Sequence, residues 1–133
     1  MDPQTLPTEA RIIYEQIKAR YQVHFEPLTV REHRLNILRM SDLEQILDGK
    51  NPREDVGAFP FWVKIWESSL VLAELLAGLP RAEETSLLEL GAGLGVPGLV
   101  AAAAGMQVTL SDHAPPSLDV ERVHAAARSL RKV

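Results

Sequence analysis

A loop with glycine at three alternate positions, 91, 93 and 95, constrains the fold of this chain more than any other feature. The apolar run 86–90 before the loop predicts a buried strand, and the small residues 99–104 after it predict a helix. Glycine lets the backbone turn sharply and come close to a ligand, and the N-terminus of the following helix offers unpaired N–H groups. The sequence therefore predicts a loop that binds a nucleotide-like ligand between a strand and a helix.

A second strand and a last helix follow this unit. Residues 107–111 predict a strand that ends at Asp112, and a helix is predicted to begin at Ser117 or Asp119 and to run to about Leu130. In the order strand, glycine loop, helix, strand and helix, the strands lie parallel and the crossover is right-handed. The predicted fold class is therefore α/β, with the first βαβα unit of a Rossmann-like parallel sheet.

The residues before this unit predict an N-terminal helix and a β-hairpin. The predicted elements are a helix, two hairpin strands, a short helix and, after an aromatic cluster at 59–62, a longer helix, at residues 8–22, 23–30, 35–40, 41–47 and 66–76. We divide the chain at residue 58 into an N-terminal extension, 1–58, and the first half of a Rossmann-like domain, 59–133.

Two acidic residues near the glycine loop restrict the ligand. Glu89 lies two positions before the first glycine, where a carboxylate would repel the pyrophosphate of a dinucleotide. S-adenosylmethionine has no phosphate and carries two cationic groups, an ammonium and a sulfonium, so that a carboxylate beside it is favourable. Asp112 at the end of the next strand can accept hydrogen bonds from ribose hydroxyls, as in dinucleotide-binding folds. Asp112 therefore indicates a nucleoside, and Glu89 favours S-adenosylmethionine; the alternative is that the glycines serve only tight packing.

The composition narrows the class of protein. Hydrophobic residues make up 46% of the chain and charged residues 24%, which is typical of a soluble globular protein. The net charge of −4 gives no basic field for a polyanion, so that nucleic acid is not a favoured partner. The sequence has no cysteine, signal peptide or membrane span, which predicts a cytoplasmic protein. The four histidines show no metal-ligand spacing, and no metal is predicted.

Three segments resemble class I S-adenosylmethionine-dependent methyltransferases. The run 87–95 resembles their first motif, and the run 108–112 resembles the strand that ends in their second acidic residue. Residues 61–69, with Trp66 at the centre, are similar to the segment that opens a helix beside the cofactor in the small lysine-methyltransferase-like group. The resemblance covers residues 59–124 well.

This resemblance implies a cofactor site. The residues that would hold S-adenosylmethionine are Trp66, Glu89, Gly91, Gly93, Gly95, Asp112 and His113. Glu89 and the glycines would hold the methionine end, Asp112 the ribose, and His113 would lie near the adenine, while Trp66 would form a wall. No catalytic residue is assigned, because methyl transfer mainly requires that the partners be oriented and water excluded. The methyl acceptor, a protein side chain or a small molecule, stays open.

Members of this family have a seven-stranded sheet, of which the chain supplies two strands. We therefore expect a truncated first half of a methyltransferase, inactive by itself, whose uncovered sheet edge favours a homo-oligomer. Two alternatives stay open: a non-catalytic association module that keeps the fold, and a fragment of a dinucleotide-dependent oxidoreductase. Glu89 disfavours the second of these.

Overall fold

The structure, a computed structural model, describes residues 1–51 and 53–129. Its α-helices and strands are, in chain order, α1 (Thr8–Arg20), β1 (Val23–Val30), β2 (His33–Met40), α2 (Leu43–Leu47), α3 (Glu67–Ala77), β3 (Ser86–Leu90), α4 (Val96–Ala103), β4 (Gln107–Ser111) and α5 (Pro115–Ser129). Within the described residues the strands form an antiparallel pair, β1–β2, and a parallel pair, β3–β4. The predicted α/β fold, a partial Rossmann-like sheet preceded by a helix and a hairpin, is confirmed.

The hairpin is longer and its turn tighter than the sequence predicts. Strand β2 begins at His33, two residues before the predicted start, and His33 pairs directly with Val30 of β1. The two turn residues include Arg31, whose φ of +50° lies in the left-handed region. The Arg31 Nε donates to Glu74 Oε1 at 2.7 Å and so links the tip of the hairpin to α3.

The parallel sheet is covered on one face by α4, which packs against both of its strands. Side chains alternate along β3, and the outward-facing Leu88 and Leu90 are 60% and 75% exposed. The prediction of a fully buried strand is therefore wrong for this face. The apolar run correctly indicated a strand that is built for burial on both sides, but no helix of the described chain covers the second side.

Two helix starts lie earlier than predicted, each at a proline. Helix α4 begins at Val96 rather than Leu99, since Pro97 occupies a first-turn position that has no N–H partner within the helix. Helix α5 likewise begins at Pro115 rather than at Ser117 or Asp119. Near the N-terminus, α1 stops at Arg20 because Tyr21 is extended. The predicted end of α5 near Leu130 lies outside the described residues.

One core joins the N-terminal helix and hairpin to α4 and α5. His124 of α5 is buried within it and bonds in two directions. The Leu38 N–H of β2 donates to His124 Nε2 at 2.8 Å. The ring proton therefore lies on Nδ1, which donates to the Leu94 carbonyl at 2.9 Å. Burial lowers the pKa of His124 to about 4, so that the ring is neutral at pH 7.

No helix in the described part of the chain has the length and apolar character needed to cross a membrane.

The substitution His124→Phe is expected to lower the free energy of unfolding by roughly 2–6 kcal/mol. It leaves the buried Leu38 N–H and Leu94 carbonyl unpaired, each at a cost of about 1–3 kcal/mol. Urea unfolding followed by circular dichroism measures the change. The matched control is His24→Phe on β1, because the His24 side chain is 57% exposed. Equal unfolding curves for the two variants would show that the His124 bonds do not stabilise the fold.

Candidate functional site

The glycine loop, residues 91–95, joins β3 to α4 through left-handed backbone positions. Its three glycines have φ angles of +62°, +60° and +70°, which residues with a Cβ adopt only at a cost. The Ala92 N–H donates to the Ser111 carbonyl at 3.0 Å and ties the loop to the end of β4. The loop therefore lies at the carboxyl ends of both parallel strands, the place where open α/β sheets bind ligands.

Asp112 and Ser117 hold the Gly93 backbone from two sides. Asp112 Oδ2 accepts from the Gly93 N–H at 2.8 Å, and its Oδ1 accepts from the Ala114 N–H at 2.9 Å. The Ser117 hydroxyl donates to the Gly93 carbonyl at 2.6 Å. A carboxylate offers about four acceptor positions. Asp112 can therefore fix the loop and still accept further hydrogen bonds from a ligand.

Glu89 is half-buried on the side of β3 that faces α4. Its Oε2 accepts from the Gly98 N–H in the first turn of α4 at 2.7 Å. A Cβ at position 98 would lie 2.7 Å from the same oxygen, so that glycine there leaves the space that the carboxylate needs. Burial raises the pKa of Glu89, and the Gly98 hydrogen bond opposes this rise.

A cavity of about 460 Å³ lies between the glycine loop and the aromatic segment, residues 56–66. This volume is within the usual range for small-molecule sites. Six of the seven predicted cofactor residues line the cavity: Trp66, Glu89, Gly91, Gly93, Asp112 and His113. The structure therefore brings two carboxylates, the glycine loop and an aromatic wall to one place.

Gly95 is the predicted site residue that does not line the cavity. A Cβ at this position would lie 2.9 Å from Leu110 Cδ1 of β4 and 3.4 Å from Glu121 Cγ of α5. Glycine is therefore required here for close packing behind the loop as well as for the positive φ angle. The contacts of Gly95 indicate a structural contribution to the loop.

The aromatic segment forms the opposite wall of the cavity. The Trp66 Nε1–H donates to the Phe61 carbonyl at 3.0 Å, and the two rings are 6.0 Å apart. A Cβ on Gly93 would lie 3.5 Å from the Cα and the carbonyl oxygen of Trp62, so that the segment lies against the glycine loop. The Lys64 Nζ lies 4.5 Å from the centre of the Trp66 ring. The hydrogen bond from the indole N–H to the Phe61 carbonyl therefore fixes the orientation of the Trp66 ring in the wall of the cavity.

The sequence model of a family described as lysine methyltransferase matches residues 51–124, more than half of the chain. The chain belongs to this lysine methyltransferase family. The match confirms the resemblance predicted over residues 59–124 and includes the glycine loop, Asp112 and the aromatic segment. No curated protein and no solved structure matches the chain significantly.

In this member of the lysine methyltransferase family, three buried polar residues of α5 support the glycine loop, and they were not predicted to belong to the site. Ser117, Glu121 and His124 are at most 5% exposed. Their spacing of four and three residues places them on one face of α5, together with Val120 and Val123. The sequence signal that could have identified them is a polar residue at each turn of an otherwise apolar helix face.

Glu121 lies in a cluster of carboxylates beneath the glycine loop. Burial is the main reason that the pKa of Glu121 rises to about 7, and the charges of Asp112 and Glu89 raise it further. The hydrogen bond between Ser117 Oγ and Glu121 Oε1, which are 3.2 Å apart, and the charge of Arg122 act in the opposite direction. The pKa of Glu121 therefore lies close to neutral pH, well above that of an exposed carboxyl group.

The buried pair Glu121 and His124 is expected to give opposite pH dependences of stability. The pKa of Glu121 is raised from 4.5 to about 7, so that its contribution to stability falls as the pH rises through that range. The pKa of His124 is lowered from 6.5 to about 4, so that its contribution rises with pH between those values. In the wild type the two effects largely cancel.

Relative to the wild type, the stability of Glu121→Gln should therefore rise between pH 4.5 and 7, by about 3 kcal/mol at most, and that of His124→Gln should fall between pH 4 and 6.5. Urea unfolding at four pH values, with the wild-type curve subtracted, measures both slopes. Differences from wild type that do not vary with pH for both variants would contradict these protonation states.

Proposed function

We propose that the chain binds S-adenosylmethionine in the cavity between the glycine loop and the aromatic segment, as the cofactor-binding part of a methyltransferase. The observation that carries the proposal is that Glu89 and Asp112 line the same cavity as the glycine loop. Two carboxylates in one cavity disfavour a pyrophosphate and favour a cationic nucleoside.

Glu89 fits a cationic ligand because its carboxylate is not neutralised. In the structure it accepts one backbone hydrogen bond, from Gly98, and burial raises its pKa. A positive charge nearby stabilises the ionised form of a buried carboxylate. The ammonium or sulfonium group of S-adenosylmethionine would supply that charge, and its binding would oppose the rise that burial causes in the pKa of Glu89.

Asp112 fits a ribose. Its two oxygens accept from the Gly93 and Ala114 N–H groups at the lining of the cavity, and a carboxylate with two such bonds retains acceptor positions for two hydroxyls. His113 has a side chain that is 97% exposed. It borders the cavity, where it would cover the adenine.

The residues of the cavity position and shield rather than react. When bound, S-adenosylmethionine supplies an electrophilic methyl group on its sulfonium. The aromatic wall of Phe61, Trp62 and Trp66 would exclude water from that group, and Glu89 would hold the methionine end in place. The family description favours the amine of a lysine as methyl acceptor. An amine that arrives unprotonated needs no base from this chain.

Isothermal titration calorimetry with three ligands tests the proposed function. S-adenosylmethionine and S-adenosylhomocysteine are expected to bind, and NAD is not. Glu89→Gln removes the charge but keeps an acceptor for the Gly98 N–H, and it should weaken S-adenosylmethionine binding about ten-fold, or about 1.4 kcal/mol. Glu84→Gln is the matched control, because Glu84 is exposed before β3. Binding of NAD alone would overturn the proposal and favour an oxidoreductase.

Gly93→Val is expected to abolish binding of S-adenosylmethionine. A β-branched side chain strongly disfavours the φ of +60° at this position, and its methyl groups would enter the space against Trp62. The control is Gly49→Val after α2, where φ is +74° and no atom lies within 4 Å of an added Cβ. Both variants carry similar backbone strain. Unchanged affinity in Gly93→Val would mean that the ligand does not contact the loop.

A second candidate function, a non-catalytic association module, is favoured by the exposure of Leu88 and Leu90 on the open face of the sheet. The proposed partner is a second copy of the chain. If no ligand binds at millimolar concentration and sedimentation shows a concentration-dependent dimer, this function replaces the first.

A further inference from the structure

We infer that Lys64 recognises the carboxylate of the bound amino-acid moiety and thereby selects ligands that carry one. This inference rests on the function proposed above, because it assigns a partner to one group of S-adenosylmethionine. Lys64 had no assigned role in the site, and a lysine at such a position is usually a solvated charge. Three observations argue for a more specific role.

The first observation is the position of the aromatic segment against the glycine loop. The Trp62 backbone is 3.5 Å from the position that a Cβ of Gly93 would take, and Lys64 follows two residues later in extended backbone. Lys64 lines the same cavity as Glu89 and Gly93. Its side chain is therefore close to the loop where the methionine end is proposed to bind.

The second observation is the conformation of the Lys64 side chain. Its Nζ lies over the Trp66 ring, 4.5 Å from the ring centre, which is within the range of a cation–π interaction. The Trp66 ring is itself held by the bond from its Nε1–H to the Phe61 carbonyl. The ammonium group is therefore held at the wall of the cavity, and a lysine with three N–H donors can face the ring and still donate to a ligand.

The third observation is the charge balance of the cavity. Of the described residues that line it, Lys64 is the single lysine or arginine, and it forms no ion pair with a carboxylate in the described chain. S-adenosylmethionine carries two cationic groups and one carboxylate. The cavity offers the complementary set, namely Glu89, Asp112 and Lys64. Among the Asp, Glu, Lys and Arg side chains described at the cavity, Lys64 alone has the charge that attracts a carboxylate.

Calorimetry with two ligands and matched variants tests the inference. The ligands are S-adenosylmethionine and its decarboxylated form, which keeps the ammonium and sulfonium groups. Lys64→Gln is expected to weaken S-adenosylmethionine binding about ten-fold, or about 1.4 kcal/mol, and to leave the decarboxylated ligand unaffected. Lys64→Arg should retain most of the affinity, since a guanidinium also binds a carboxylate. Thermal unfolding of each variant checks that the fold is intact.

Lys18→Gln is the matched control, because Lys18 lies over the ring of Tyr14 on α1, away from the cavity, at 6.0 Å. It removes the same charge from another aromatic ring and should change neither affinity. Equal effects of Lys64→Gln on both ligands, or no effect on either, would overturn the role of Lys64 while the proposed function stands. If the wild-type protein binds neither ligand, the proposed function itself fails.

Discussion

The geometry of the site depends on the hydrogen bonds that hold Gly93. A loop with three glycines in left-handed conformations has little intrinsic preference for one shape, because glycine loses more backbone freedom than any other residue when it is ordered. The Asp112 carboxylate holds the N–H of Gly93 and the Ser117 hydroxyl holds its carbonyl, at 2.8 and 2.6 Å. These bonds hold the loop in one conformation, so that its shape depends on Asp112 and on Ser117 in the first turn of α5.

The same support extends to the N-terminal hairpin through His124. The ring bonds Leu38 of β2 on one side and Leu94 of the glycine loop on the other. The hairpin contributes no residue to the cavity, yet it fixes the ring that holds the loop. The division of the chain at residue 58 stays a prediction, and the shared core means that the N-terminal residues are physically part of the support of the site.

Local patterns of sequence predicted much of this arrangement. The strand, glycine loop and helix follow from neighbouring residues, and Glu89 and Asp112 lie next to strand ends, so that their convergence at one edge of the sheet could be foreseen. The support beneath the loop could not be foreseen in the same way. Ser117 and His124 act on residues 24 and 30 positions earlier in the chain, and the burial of their side chains depends on packing between helices. The exposure of Leu88 likewise depends on whether another element packs on that face of the sheet, and neighbouring residues in the sequence do not indicate this.

The carboxylates near the glycine loop restrict the charge of the ligand that the cavity favours. Burial raises the pKa values of Glu89 and Glu121, and the charges of Glu89 and Asp112 raise that of Glu121 further. A cluster of this kind opposes folding, since each ionised member must lose water near other negative charges. Asp112 offsets its part of that cost through two backbone bonds, and the raised pKa of Glu121 favours its uncharged form. Glu89 has one backbone bond and a position at the cavity. A cation bound in that cavity, as proposed, would offset the remaining negative charge of Glu89.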